Sequence, residues 1–193
     1  VLIAGFKRHG LTAQITHDPS AQADLHVISG PYFAKSHWVG NPNTILLDRC
    51  YYRGNPEFVS LGWMNGQGGR DFFAGEGRGP PEIKNNATGT KLIFLADYDG
   101  PLEDADTVRF HPAQAAHPKT LLESLREHRK AIGYGTTALV TAALEGLEVT
   151  CRSEQNIMSQ PNWRELLPYA DWGLTEIESG EAWAHLKLSQ SQR

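Results

Sequence analysis

Three short stretches carry residue types suited to phosphate or acid–base chemistry. The first is Tyr134-Gly135-Thr136-Thr137-Ala138-Leu139. A glycine lets the chain turn tightly after a strand, and two hydroxyls then stand where a small-residue helix begins. Free N–H groups and the helix dipole favour an anion at such a point. A plain threonine N-cap has the same spelling, so both readings stay open. The stretch matches neither a Walker motif nor GxGxxG. The second is Arg109-Phe110-His111-Pro112, at the end of an expected strand. A histidine there can donate a hydrogen bond to a phosphate or pass a proton to a leaving group. A surface or capping histidine is the ordinary alternative. The third is Ala96-Asp97-Tyr98-Asp99-Gly100, whose carboxylates could serve as a general base or bind sugar hydroxyls. An Asp-Gly turn is the plainer account. His9, after Lys7-Arg8, is a further candidate base, with a loop histidine as its alternative.

These residues matter only if the fold gathers them. Apolar runs predict strands over Val1–Phe6, Asp24–Gly30, Thr44–Asp48, Phe58–Trp63, Lys91–Ala96, Thr107–Phe110 and Leu147–Cys151. The runs are rich in Val, Ile and Leu and do not alternate cleanly, which suits buried parallel strands. Helices are expected over Thr120–Ile132, Thr136–Leu144, Asn162–Tyr169 and Ile177–Leu186, with a candidate short strand at Ala131–Tyr134. A β-α-β-α-β order predicts a parallel sheet with helices on both faces. Ligands of such sheets bind at the carboxyl ends of the strands. All three motifs would then line one sheet edge.

Between Asn65 and Thr90 the composition shifts to glycine and proline. That segment reads as a linker or a mobile loop, with Arg70 and Arg78 at hand for an anionic ligand. The expected division is residues 1–64, an acceptor-side lobe; 65–90, the linker; and 91–193, a donor-binding lobe with a helical tail. Tyr51-Tyr52-Arg53 and the tail tryptophans Trp163, Trp172 and Trp183 could stack on a sugar or base, though packing is their default role.

The chain has 193 residues, 40% of them hydrophobic, and a net charge of -4. This composition excludes a disordered or collagen-like chain and argues against a strongly basic nucleic-acid binder. No apolar run is long enough to span a bilayer. The apolar N-terminus is too short for a signal peptide, so a cytoplasmic location is expected. Cys50 and Cys151 show no ligand spacing, and His17, His26 and His37 show none either. No metal is therefore expected, although Asp97-Tyr98-Asp99 formally spells DxD.

Taken together, Val108-Arg109-Phe110-His111-Pro112, then a helix, then Gly133-Tyr134-Gly135-Thr136-Thr137-Ala138 resembles the donor-binding lobe of GT-B-fold glycosyltransferases. The nearest likeness is to bacterial capsular-polysaccharide and sialyltransferase-like enzymes, with compact bacteriophage transferases as a further comparison. The Trp-rich tail from Asn162 to Trp183 is similar to theirs, and the likeness covers about Lys91 to Leu186. It implies an α/β fold of two small Rossmann-like lobes with mostly parallel sheets, compact and GT-B-like. His111 would bind the donor phosphate and help the nucleotide leave. Thr136 and Thr137 would hold the same phosphate, with Gly135 and Arg109 beside them. Asp99 would match an acidic catalytic residue. Thr141 stands where the family often has a glutamate on the donor ribose, and Glu148 replaces a proline. The implied activity is metal-independent sugar transfer from a nucleotide sugar, with no other cofactor, to a glycan or a modified DNA base. The competing class is a non-enzymatic nucleotide- or phosphate-binding, or sequestering, protein.

Overall fold

The computed structural model describes residues 1–16, 18, 21–29, 41, 43–50, 56–64, 70–71, 77–96, 101–154 and 156–190, with backbone only at 49, 70–71 and 186–190. The chain divides into two compact units, residues 1–79 with 165–193, and residues 80–164.

The first unit opens with helix α1 (Leu2–Arg8), where a strand was expected. The apolar residues Leu2 and Phe6, with Gly5 between them, share one helical face (i, i+3, i+4) and line a small recess with Leu61, Ile177 and Trp183. Gly5 explains the close approach, because a Cβ there would lie 1.9 Å from the Ile177 carbonyl oxygen. Strands β1 (His26–Ser29), β2 (Thr44–Arg49), β3 (Phe58–Met64) and β4 (Arg70–Asp71) follow. Among the described residues of this unit, only β1 and β2 pair in parallel. Strand β3 runs antiparallel to β2 and β4, and also to β9 (Asp171–Gly173), which the tail supplies. The expectation of mostly parallel sheets therefore fails in this unit, and the tail expected in the donor-binding half belongs here instead.

Trp63, Trp172 and Tyr169, each at most 2% exposed, fill this core with Ile45 and Leu61. The expected helix Ile177–Leu186 is two helices, α5 (Leu174–Ser179) and α6 (Glu181–Gln190). Gly180 separates them in a left-handed conformation (φ 87°), which ends α5 at low cost.

The second unit holds β5 (Lys91–Leu95), β6 (Thr107–Arg109), α2 (Leu121–Arg126), β7 (His128–Gly133), α3 (Ala138–Leu144) and β8 (Glu148–Cys151). A short helix α4 (Trp163–Leu166) crosses the boundary back to the first unit. The sheet order is β6-β5-β7-β8, and every pairing is parallel. Ile93, Phe94, Leu95 and Ala131 are almost fully buried, as continuous apolar runs in a covered parallel sheet should be. Helix α2 starts where expected, because Thr120 and Glu123 cap it reciprocally. It stops at Arg126 and does not reach Ile132. His128, 4% exposed, starts β7 with its ring bonded to the Ser124 carbonyl (2.6 Å) and to Thr107 Oγ1 (2.9 Å). Ala131 and Ile132 then pair with Ile93 and Phe94. Among the described residues, no helix is long and apolar enough to cross a membrane.

Candidate functional site

The strand order of the second unit creates a switch point. From β5 the chain passes to β6 on one side, then returns to β7 on the other. The connections after β5 and β7 therefore lead to strands on opposite sides of the sheet, and the carboxyl edge at such a reversal is where open α/β sheets bind ligands. Gly133 ends β7 beside that point, and a Cβ there would come within 2.7 Å of the Leu95 carbonyl oxygen. Any larger residue would push β5 and β7 apart.

The motif residues leave from this edge. Tyr134 follows β7, and its ring meets Phe94 edge-on at 6.3 Å. Gly135 is exposed. Thr136 Oγ1 accepts from the Ala138 N–H (3.2 Å), whereas Thr137, the residue before α3, makes no side-chain cap and is exposed. The Thr137 hydroxyl is therefore the more accessible of the two. Thr141 lies one turn along α3, half-buried, with its N–H on the Thr137 carbonyl (3.3 Å).

Arg109 closes β6 with its side chain turned onto its own loop. Its guanidinium donates to the Lys119 carbonyl from Nη1 and Nη2 (both 3.1 Å) and to Ser124 Oγ (2.9 Å). Partial burial lowers its pKa without removing its charge. Its role in the structure is to fix the segment that leads into α2.

His111 sits two residues beyond β6, half-buried, with Nδ1 accepting from the Ala113 N–H (3.2 Å). An Nδ1 that accepts carries no proton, so in the neutral ring the proton is on Nε2. The other ring nitrogen is then the N–H donor of the pair, the form in which a histidine hydrogen-bonds an anion. The loop itself is tightly held. The Gln114 N–H and Ala115 N–H both reach the His111 carbonyl (2.8 and 3.2 Å), and His117 Nε2 donates to the Phe110 carbonyl (2.8 Å).

Asp99 and its neighbours 97–100 lie outside the described residues, as do Tyr51-Tyr52-Arg53, His17 and His37. His9 belongs to the first unit and follows a helix where a strand was expected. Its Nε2 donates to the Gly180 carbonyl (2.8 Å) and ties the end of α1 to the end of α5. Arg78 also works inside the first unit. It donates to the Pro168 and Asp171 carbonyls (2.7 and 3.1 Å), pairs with Glu176, and lies 3.9 Å over the Trp172 ring. Trp183 packs on Phe6 (5.1 Å, edge to face).

Sequence reasoning missed one cluster at the carboxyl edge. The Glu103 carboxylate, on the segment between β5 and β6, accepts from the Tyr134 hydroxyl (3.0 Å). It also accepts from Arg152 Nε (3.1 Å) and Nη2 (3.3 Å), just after β8. The hydrogen bond from Arg152 is the main cause holding the Glu103 carboxyl below its ordinary value, while the same carboxylate holds the Tyr134 phenol above its own. No motif spacing announces two residues that lie 31 and 49 positions from the glutamate they share. Only the sheet order brings them together.

Nearby Cys151 directs its thiol to the Tyr134 and Ser153 carbonyls (both 3.3 Å), and burial pushes its pKa up. It is a packed thiol with none of the features of a nucleophile. Among the described residues, no group of three or more His, Cys, Asp or Glu is placed to hold a metal ion.

Comparison of the chain with protein-family models, with curated proteins and with solved structures finds no match.

Proposed function

We propose that the second unit is the donor-binding part of a nucleotide-sugar glycosyltransferase, acting without a metal. The observation that carries this reading is the all-parallel order β6-β5-β7-β8, with His111, Tyr134, Thr136, Thr137 and Arg152 all on loops leaving its carboxyl edge. Neighbouring strands are about 4.8 Å apart, so the ends of β6 and β7, with β5 between them, are about 10 Å apart. That spacing suits two loops that grip one diphosphate from opposite sides.

In this reading, sugar transfer breaks the bond between the anomeric carbon and the donor phosphate. Negative charge grows on the phosphate oxygen as the bond breaks. Preorganised donors aimed at that oxygen lower the barrier. His111 Nε2–H, the Thr137 hydroxyl and the backbone N–H groups at Thr136–Thr137 are the donors assigned to it. Asp99, four residues beyond Leu95 in the sequence, is the residue assigned to take the proton of the acceptor hydroxyl as its oxygen bonds to the anomeric carbon. Thr141 in place of an acidic residue gives a weaker hold on the donor ribose. The acceptor is a glycan or a modified nucleic-acid base, and the setting is cytoplasmic.

A thermal-shift panel of UDP-, GDP-, CMP- and TDP-sugars tests the donor site, because a ligand of the native state raises Tm. At least one should shift it, and that nucleotide sugar should be hydrolysed or transferred. His111→Ala and Thr137→Ala should each lose the turnover. A panel with no shift sinks the reading.

The second reading is a nucleotide-binding or sequestering protein that does no transfer. It is favoured by one observation. The one carboxylate described at this edge with three donors, Glu103, is already held by them and is poorly placed to act as a base. Tight nucleotide binding with no turnover of any acceptor would select it.

A further inference from the structure

The Glu103 cluster has the form of an anion site with a carboxylate already in it. Three donors converge on one negative group. Two come from a single guanidinium, with Nε on Oε1 (3.1 Å) and Nη2 on Oε2 (3.3 Å), and the third is the Tyr134 hydroxyl on Oε1 (3.0 Å). This is the fork by which arginine holds either a carboxylate or a phosphate. The donors leave the carboxyl ends of adjacent strands β7 and β8, next to the switch point.

The occupant is only loosely committed. The Glu103 side chain is 25% exposed and that of Arg152 is 50% exposed. Pairs so open to water contribute little to stability, because solvent competes for both partners. Glu103 also rides on residues 101–106, which form no helix or strand. A phosphate carries more charge than a carboxylate and has more acceptor oxygens, so it is the stronger partner for the same donors.

We infer that Arg152 and Tyr134 form a phosphate-binding subsite in which the Glu103 carboxylate stands until a ligand phosphate replaces it. The inference rests on the reading above only for the kind of phosphate, a nucleotide's. The cluster itself argues for phosphate of any source. On exchange, the guanidinium fork and the phenol keep all three hydrogen bonds, now to phosphate oxygens. The Glu103 carboxylate swings out to water.

The test is calorimetric titration of the full chain with inorganic pyrophosphate and separately with UDP, using uridine as the control without phosphate. Glu103→Gln removes the competing charge while keeping the shape. It should bind pyrophosphate about tenfold or more tightly than the parent chain. Adding Arg152→Ala to it should abolish the gain. Adding Arg152→Lys, a point charge without the fork, should keep only part of it. Uridine should gain nothing from Glu103→Gln. The inference is overturned if Glu103→Gln binds pyrophosphate no better than the parent. It is equally overturned if the gain survives Arg152→Ala.

The two readings fail separately. A pyrophosphate gain without binding of UDP or any nucleotide sugar keeps the subsite and removes the transferase. Nucleotide-sugar binding that ignores Glu103→Gln and Arg152→Ala does the reverse. Melting curves for each variant identify any loss that comes from unfolding.

Discussion

The two edges of the parallel sheet each gather cationic and polar side chains on one glutamate, three of them at one edge and two at the other, and the two clusters differ in nearly everything else. At the amino edge, Glu145 follows α3 and is 2% exposed as a residue. Its carboxylate takes Lys84 Nζ (3.0 Å), Asn86 Nδ2 (2.8 Å) and, at 3.5 Å, Arg126 Nε. The backbone around it is equally engaged. The N–H groups of Lys84, Asn86 and Thr88 cap the carbonyls of Leu144, Glu145 and Arg126, so residues 84–88 bind the ends of α3 and α2 together. Burial alone would raise the Glu145 carboxyl. The hydrogen bonds from Asn86 and Lys84 and the charges of Lys84 and Arg126 outweigh it, and the net shift is downward. At the carboxyl edge, Glu103 has comparable donors but stands in reach of water, on a segment without regular structure. The same chemistry is thus a fastener at one edge and an exchangeable contact at the other. What separates them is burial and how firmly the surrounding backbone is tied.

This contrast is easiest to break at the amino edge, where a change should cost stability and leave anion binding alone. Gly146 holds φ at +95°, and a Cβ there would lie 2.4 Å from the Lys84 carbonyl oxygen. Gly146→Ala must adopt a left-handed backbone and push residues 84–85 away. The expected loss is about 3 kcal/mol in urea unfolding. A loss below about 1 kcal/mol would mean that the 84–88 segment is no fastener. Glu145→Ala comes next, at about 2 kcal/mol, since Lys84 and Arg126 can return to water but the half-buried Asn86 amide loses its partner. Its pyrophosphate affinity should match the parent's within about twofold. A larger change would show that the two edges are coupled.

At the carboxyl edge the expected effects reverse. Tyr134→Phe removes one donor from the Glu103 cluster and no apolar contact with Phe94. Tm should stay within about 2 °C of the parent. In the Glu103→Gln background, pyrophosphate should bind about fivefold more weakly, the effect of one lost hydrogen bond. If the melting temperature falls and the affinity does not, the cluster is structural and the contrast between the edges is lost.

Why one edge was readable in the sequence and the other was not follows from where the signals lie. The strand Lys91–Leu95 was legible because a buried parallel strand reads as a continuous apolar run, and Glu148–Cys151 because Val149 and Cys151 alternate with the exposed Glu148 and Thr150. The start of α2 was legible because Thr120 and Glu123 cap it within four residues. Gly135-Thr136-Thr137 was found as a turn opening a helix for the same local reason. Helix α1 was misread as a strand because Val-Leu-Ile-Ala-Gly-Phe has no clear period over six residues. Its face is fixed by Ile177 and Trp183, more than 170 positions away. The far end of α2 was misread because Leu121, Leu125 and Ile132 recur at helical spacing, while the register with β5 claims Ile132 for the sheet. The Arg109 guanidinium looked available in the sequence, yet the structure aims it at Lys119 and Ser124. Glu103 and Arg152 carried no local signal at all, since a half-exposed ion pair leaves no pattern in hydrophobicity.

Acid provides the smallest and most discriminating measurement. Both carboxyls are held below the ordinary 4.5 in the folded chain. A carboxyl whose folded pKa is depressed binds fewer protons folded than unfolded. Its stabilisation is therefore complete above the unfolded value and is lost as pH falls through the folded one. The window lies below about pH 4.5 for both residues, so they differ in size of effect and not in direction. Glu145 is walled in by the 84–88 segment, and its protonation breaks contacts that water cannot replace. Glu103 already faces water, and its protonation releases a contact that solvent partly restores. Melting temperatures taken between about pH 7 and pH 3 should therefore fall less steeply in Glu145→Gln than in the parent. Glu103→Gln should flatten the same limb only slightly. If Glu103→Gln flattens it as much as Glu145→Gln does, the carboxyl-edge pair is a structural fastener too. Its donors would then be held too firmly to exchange for a phosphate.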